Sequence, residues 1–244
     1  MQAEPGAARP AFYALAPGGW RDYVSLLHPP YTAWHLSYVA IGAAVSSSFD
    51  AGRLVAALAA FGLAVGVAAH ALDELHDRPL QTRVPANVLR LLAGTSLAGA
   101  AAIGVVGVST IGWSFLPWVA LGVALVLAYN LEWGGRTVHN GLGFALAWGA
   151  FPVLASAASQ GGIDLAVAGA AVFATLTSLA QRTLSNEVRA VRRRSVSVQG
   201  EIGWRDGTRT PLDAAALTRP EERALMLLAA AHVLLALVLV GLAS

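Results

Sequence analysis

Three short stretches hold most of the side chains that could do chemistry in this chain. The first, residues 69–85, carries His70, Asp73 and Asp77 at i, i+3 and i+7. At 3.6 residues per turn they fall within about 60° of one another on one helical face, while Glu74 and His76 point elsewhere. Two carboxylates one turn apart repel each other, and a divalent cation between them relieves that. Oxygen ligands with room for phosphate suit Mg²⁺. Two other uses of the same residues stay open. The acids could pair with Arg78 and Arg83 at an interfacial helix end. Alternatively, His70, Asp73, His76 and His139 could surround zinc or iron.

The second stretch, 129–152, gathers Tyr129, Asn130, Glu132, Arg136, His139 and Asn140, with a turn at Gly134 and Gly135. Glu132 and His139 are costly beside lipid, so at least one of them is a candidate for a role in a site. The third stretch, 181–194, places Gln181, Ser185 and Arg189 on one stripe at i, i+4 and i+8. Arg182, Asn186 and Glu187 fall on adjoining faces. An Arg guanidinium is a planar fork of donors that matches phosphate oxygens. Arg192, Arg193 and Arg194 read as contacts to anionic headgroups.

The elements that position these groups follow from composition. Of 244 residues, 56% are hydrophobic and 12% charged, against about 25% charged in soluble domains. The chain has no Cys, and all 16 basic residues are Arg. Disulfides, thiolate metal sites, Schiff-base chemistry and a Lys-containing phosphate loop are therefore excluded. Helix-length apolar segments lie at 32–48, 52–75, 87–108, 112–131, 138–158, 163–185 and 221–243. A crossing needs about 20 such residues, so the pattern predicts an all-α bundle of about seven transmembrane spans. The first is the weakest, because it contains His35 and ends in three Ser.

Residues 1–30 read as a tail and an interfacial helix rich in Tyr, Trp and Leu, ahead of one membrane domain over 31–244. The connection over 189–220 reads as a polar cytoplasmic loop, a disordered segment or a lid. Counting loops alternately puts fifteen Arg on one side and only Arg53 on the other. The positive-inside rule then places the N-terminus in the cytoplasm and the C-terminus outside. All three polar stretches come to the cytoplasmic ends of spans two, four and six. Arg is accounted for by topology, so nucleic acid is not an expected partner. A transporter would show internal repeats and breaks at mid-membrane, and neither is visible.

This arrangement resembles the UbiA superfamily of intramembrane prenyltransferases over roughly residues 24–195. The family carries one Asp-rich motif after span two and another after span six. Its first motif, Asn-Asp-x-x-Asp-x-x-x-Asp, aligns with Ala69-His70-x-x-Asp73-x-x-x-Asp77, where two of the three Asp survive and His70 replaces the other. The continuation Arg78-Pro79-Leu80-x-Thr82-Arg83-x-Pro85 is similar too, as is the start 26–44, where His28 takes the place of an Arg. In the second stretch Glu132 and Trp133 replace the family's basic pair. The second Asp-rich motif is replaced by Gln181, Ser185, Asn186 and Glu187. The resemblance implies Mg²⁺-dependent transfer from a prenyl diphosphate to a lipophilic or aromatic acceptor, in the cell membrane at a site facing the cytoplasm. Asp73, Asp77 and Glu187 would hold metal, with Glu132 and His139 acting on the acceptor. His70, Arg78, Arg83, Asn130, Arg136, Asn140, Gln181, Arg182, Asn186 and Arg189 would bind substrate. The missing second motif leaves a catalytically altered homologue that binds an isoprenoid or other lipid as the alternative.

Overall fold

Apolar runs bounded by Asp, Asn, Pro and Gly set the architecture seen in a computed structural model, which describes residues 9–133, 135 and 139–244. A short α1 (Trp20–Leu26) leads into α2 (Pro29–Ala44). Six longer helices follow: α3 (Ala51–His76), α4 (Ala86–Ile111), α5 (Trp113–Asn130), α6 (Gly141–Gln160), α7 (Leu165–Arg194) and α8 (Ala214–Ala243). Each of these six is long and apolar enough to cross a membrane. The segment expected to be the first span is α2, with 16 residues, about 24 Å against a hydrocarbon core of roughly 30 Å. It runs buried along α6 and α8. Leu91, Val106, Leu176, Leu227 and Leu237 point outward from α4, α7 and α8 and are exposed, as lipid-facing side chains are.

Asp or Asn starts four of the helices by accepting a backbone N–H. Asp50 takes that of Arg53, Asn140 that of Gly143, Asp164 that of Val167 and Asp213 that of Ala216. Each satisfies a donor that the first turn leaves orphaned. The Asp213 cap explains why α8 begins at Ala214, inside the stretch expected to be a loop; Pro220 lies within the helix. The rest of that stretch carries an antiparallel hairpin, β1 (Glu201–Gly203) with β2 (Arg209–Pro211). At the far end, Gln160 accepts the Asp50 N–H at 2.7 Å and donates to the Asp50 carbonyl at 3.1 Å. Arg53 donates there to the Ser159 carbonyl. The single Arg on that side therefore closes a helix end.

Two helices contain a wide π-turn, at Gly62–Ala69 in α3 and Leu146–Ala150 in α6. Such turns re-aim side chains and cluster at functional sites. Helix packing around them is close. A Cβ on Gly42 would overlap the Val153 backbone, and one on Gly149 would lie 2.6 Å from the Ala174 carbonyl oxygen and 2.7 Å from Ser178 Oγ.

Candidate active site

The three chemistry-bearing stretches meet. The ends of α3, α5 and α7 and the starts of α2 and α6 enclose a chamber of about 270 Å³. His70, Asp73 and Asp77 line it from α3, as the helical spacing predicts. Tyr129, Asn130, Glu132 and His139 line it from the α5–α6 side, and Gln181, Arg182, Ser185 and Arg189 from α7. His76, expected to point elsewhere, also faces it. Asp77 closes the last turn of α3, and its side chain is 84% exposed. Asp73 is half-buried.

Other charged residues near the chamber do different work. Glu74 is buried and accepts the Leu80 and Thr82 N–H groups at 3.0 and 2.8 Å. Arg78 donates to the Thr82 and Val84 carbonyls at 3.2 and 2.7 Å. Together they fold residues 77–85 into a tight connection and leave Arg78 out of the chamber wall. The Arg83 backbone N–H is held by buried Asp22 at 3.0 Å, which fastens α1 to the same connection. Asn140 is the α6 cap and does not line the chamber. Glu187 and Asn186 are exposed on α7, away from the chamber, because the i, i+4, i+8 stripe turns their positions outward. Asn186 still accepts from Arg189 Nη2 at 2.9 Å and so orients it. Arg136 and Gly134 lie outside the described residues.

Cation and acceptor chemistry dominate the wall. Arg182, Arg189 and Arg193 all reach it. Arg182 donates to the Tyr129 hydroxyl at 2.5 Å and sits 5.2 Å from the Phe144 ring centroid. Gln181 is 3% exposed, and its Oε1 has no hydrogen-bond partner among the described residues. Five of the six histidines, His28, His35, His70, His76 and His139, face this one space. In His35, His70 and His139 the Nδ1 atom meets a backbone carbonyl, of Trp148, Gly66 and Tyr129 respectively, at 2.8 to 3.2 Å. A carbonyl only accepts, so each neutral ring carries its proton on Nδ1 and its lone pair on Nε2. The Trp148 carbonyl is available because residue 152, its ordinary helical donor, is Pro and has no N–H.

Among the described residues, no three His, Asp or Glu side chains stand close enough to hold a metal ion unaided. The zinc or iron arrangement of His70, Asp73, His76 and His139 is therefore not formed by them. The weaker demand of Mg²⁺ is different. It binds through one or two carboxylates and completes its shell with phosphate oxygens and water. Asp73 and Asp77 in one chamber fit that role, while exposed Glu187 does not add to it.

Below the chamber lies a second, apolar cavity of about 710 Å³ between α3, α4, α5 and α6. Small residues make the room: Ala57, Ala60 and Ala64 on α3 and Ala101 on α4. Val65 and Trp148 belong to both walls. A polar compartment and an apolar one thus share a border at the two π-turns.

The roof was not legible as such in the sequence. Residues 10–13, expected to be tail and interfacial helix, form part of the chamber wall. Arg192 and Arg193 hold this strap by donating to the Arg9 and Pro10 carbonyls at 3.0 and 3.2 Å. Tyr13 meets His28 Nδ1 at 2.9 Å, and the His28 ring stacks on His70 with centroids 4.0 Å apart. His28 has φ 46°, a strained backbone for a non-glycine.

Burial, with His70 beside it, holds the His28 imidazole well below its ordinary value. Burial likewise pushes the Tyr13 phenol up. For His28 the folded state resists a proton that the unfolded chain accepts below about pH 6.5. Its contribution to stability is therefore intact above that value and falls as pH drops, by up to about 1.4 kcal/mol per pH unit. We expect melting temperature in detergent to decline between pH 7 and 5, and His28→Gln to flatten part of that slope. An unchanged slope in the variant would place the effect on other groups.

Comparison of the chain with protein-family models, with curated proteins and with solved structures gave no match.

Proposed function

We propose that the chain is a UbiA-like membrane prenyltransferase that moves a prenyl group from a prenyl diphosphate to an apolar or aromatic acceptor. One observation carries the reading: a chamber with three Arg and two Asp borders an apolar cavity across Val65 and Trp148. An anionic head and a long apolar tail match the two compartments in order.

In this reading Arg182, Arg189 and Arg193 meet the diphosphate oxygens, and their fixed charge stabilises the leaving group as the C–O bond breaks. Asp73 and Asp77 hold Mg²⁺, which supplies Lewis-acid neutralisation of the same charge. The Tyr129 and Trp148 rings, edge to face at 5.6 Å, flank the border where positive charge develops on the allyl group. The apolar cavity keeps that carbon from water. Glu132 and His139, nearer the mouth, orient the acceptor. In this reading, which follows the Arg asymmetry, this end of the bundle and the N-terminus lie on the cytoplasmic side of the cell membrane.

The test is purified protein in nanodiscs with Mg²⁺ and a panel of prenyl diphosphates. Binding with diphosphate release supports the reading, and neither binding nor release sinks it. Exposed Asn186 and Glu187 favour a second reading, in which the fold binds an isoprenoid lipid without transferring it. That version binds ligand indifferently to chelator.

The apolar cavity also sets a length. It follows α3 from Val65 to Arg53, twelve residues or about 18 Å. An extended prenyl chain advances roughly 5 Å per isoprene unit, four bonds of about 1.5 Å in zigzag, so the cavity takes about three to four units. Ala57 lines it eight residues from Val65, about 12 Å along. Ala57→Phe is expected to spare a two-unit donor. It should lower kcat/KM for a four-unit donor about tenfold or more, since overpacking of one side chain costs about 1.4 kcal/mol or more. Equal loss on both donors would mean that the tail lies elsewhere.

A further inference from the structure

His35 was visible in the sequence only as a blemish in an apolar segment. An ionisable side chain inside such a helix is costly and marks a site by default. The structure gives it a place. It lies seven residues into the bundle from His28, about 10 Å deeper along α2. It is 5% exposed and lines the chamber. Its Nδ1–H is committed to the carbonyl of Trp148 at 2.8 Å, and Trp148 is one of the two residues shared by both compartments. His35 therefore stands beside the border, where the bond between prenyl chain and diphosphate would lie.

The tautomer is fixed by that hydrogen bond, so the Nε2 lone pair is the ring's remaining polar valence. No protein hydrogen bond to it exists among the described residues. Gln181 also lines the chamber, and its buried Oε1 is a second acceptor without a partner among the described residues. A buried acceptor left unmatched costs about 1–3 kcal/mol. A molecule filling this part of the chamber recovers that by bringing its own O–H or N–H groups.

Resting on the transferase reading above, we propose that His35 is the proton acceptor of the reaction and that His35 and Gln181 together select a hydroxyl- or amino-bearing acceptor molecule. The balance is simple. The C–O bond of the prenyl diphosphate breaks, and its electron pair leaves with the diphosphate. The acceptor's oxygen or nitrogen, or a ring carbon it activates, bonds to the prenyl carbon. The proton displaced from the acceptor passes to His35 Nε2 and then to water. Glu132 and His139 sit nearer the mouth and hold the acceptor rather than take this proton. The titratable and charged groups that share the chamber with His35 are Tyr13 and His28 ahead of α2, Tyr31 of α2, His70, Asp73, His76 and Asp77 of α3, Tyr129 of α5, Glu132 and His139 between α5 and α6, and Arg182, Arg189 and Arg193 of α7. Tyr38 on its own helix and His232 of α8 also face it.

The experiment compares wild type with His35→Asn, whose side-chain N–H can still reach the Trp148 carbonyl. Binding of a non-ionisable thiolodiphosphate analogue is measured beside single-turnover rates with phenol, aniline or 1-octanol as acceptor, across pH. The expected result is unchanged analogue binding in His35→Asn, a fall in turnover of about 10²–10⁴-fold, and loss of the acid limb of the wild-type pH profile. Nitrogen-15 spectra of wild-type imidazoles should show a protonated Nδ1 and a bare Nε2 at His35. Wild-type rates with the limb intact in His35→Asn, or a neutral ring protonated on Nε2, overturn the assignment alone. A wild type that binds the analogue but turns over none of the three acceptors overturns it too and points to the lipid-binding reading. A wild type that binds no prenyl diphosphate removes the transferase reading and this inference with it.

Discussion

Asp73→Asn is expected to reduce diphosphate release by roughly 10³-fold or more, the several kcal/mol that neutralising a leaving group supplies. The substitution is isosteric and removes one negative charge. Asp73 is half-buried, one turn beyond the π-turn of α3, and shares its chamber with Arg182, Arg189 and Arg193. Under the proposed reaction a carboxylate there would have two tasks, holding Mg²⁺ and balancing the guanidinium groups. Asn can do neither. Asp77→Asn should cost less, about tenfold, because an 84% exposed side chain acts through water. Sequence spacing alone made the two acids equivalent, and their burial separates them. Rates are read as released diphosphate at saturating Mg²⁺, with analogue binding as the check that each variant is folded. Normal turnover in Asp73→Asn would end the Mg²⁺ assignment.

The second large effect is on folding. Gly149→Val is expected to prevent accumulation of folded protein, at a cost above about 3 kcal/mol. The first added carbon would meet the Ala174 carbonyl oxygen and Ser178 Oγ at 2.6 and 2.7 Å. The carbonyl belongs to the α7 backbone, so no rotamer change relieves the clash, and α6 and α7 must separate. That separation would also part Trp148 from the α7 face that carries Gln181 and Arg182. Gly169→Val on the same α7 is the control, because nothing lies within 4 Å of its added carbon. Its effect should stay within about 0.5 kcal/mol. Expression yield and melting temperature in detergent measure both. A folded Gly149→Val protein with the parent's melting point would contradict the close packing.

The contrast between these two glycines shows what the sequence carried and what it did not. Periodicity placed His70 and Asp73 on one face, and Gln181, Ser185 and Arg189 on one stripe, because these residues lie in regular helical turns, and Asp77 joins the first face as the C-cap. Loop alternation brought all three polar stretches to one end, which is a property of antiparallel packing and needs no detail. The same wheel turned His76 away from the chamber it lines, and the site roles that the resemblance implied for Arg78 and Glu187 fall on residues outside the chamber wall. His76 lies at the fraying end of α3 beside its C-cap, where an ideal helical wheel stops applying. Arg78 was drawn off by carbonyls of a connection whose course only the fold defines. Glu187 shares a stretch with the stripe but not its face. The role of His35 was hidden for another reason. It depends on a carbonyl 113 residues away in sequence, freed by a proline, and no local pattern encodes that pairing.

The strap held by Arg192 and Arg193 has a consequence for biosynthesis. The groups that fasten residues 9 and 10 are encoded 183 positions later. During translation the helices that supply Asp73 and Tyr129 leave the ribosome well before the pair that latches the roof. The nascent chain therefore keeps its acidic and aromatic walls open until α7 has been made. Closure of the roof over the chamber is consequently among the last events of assembly.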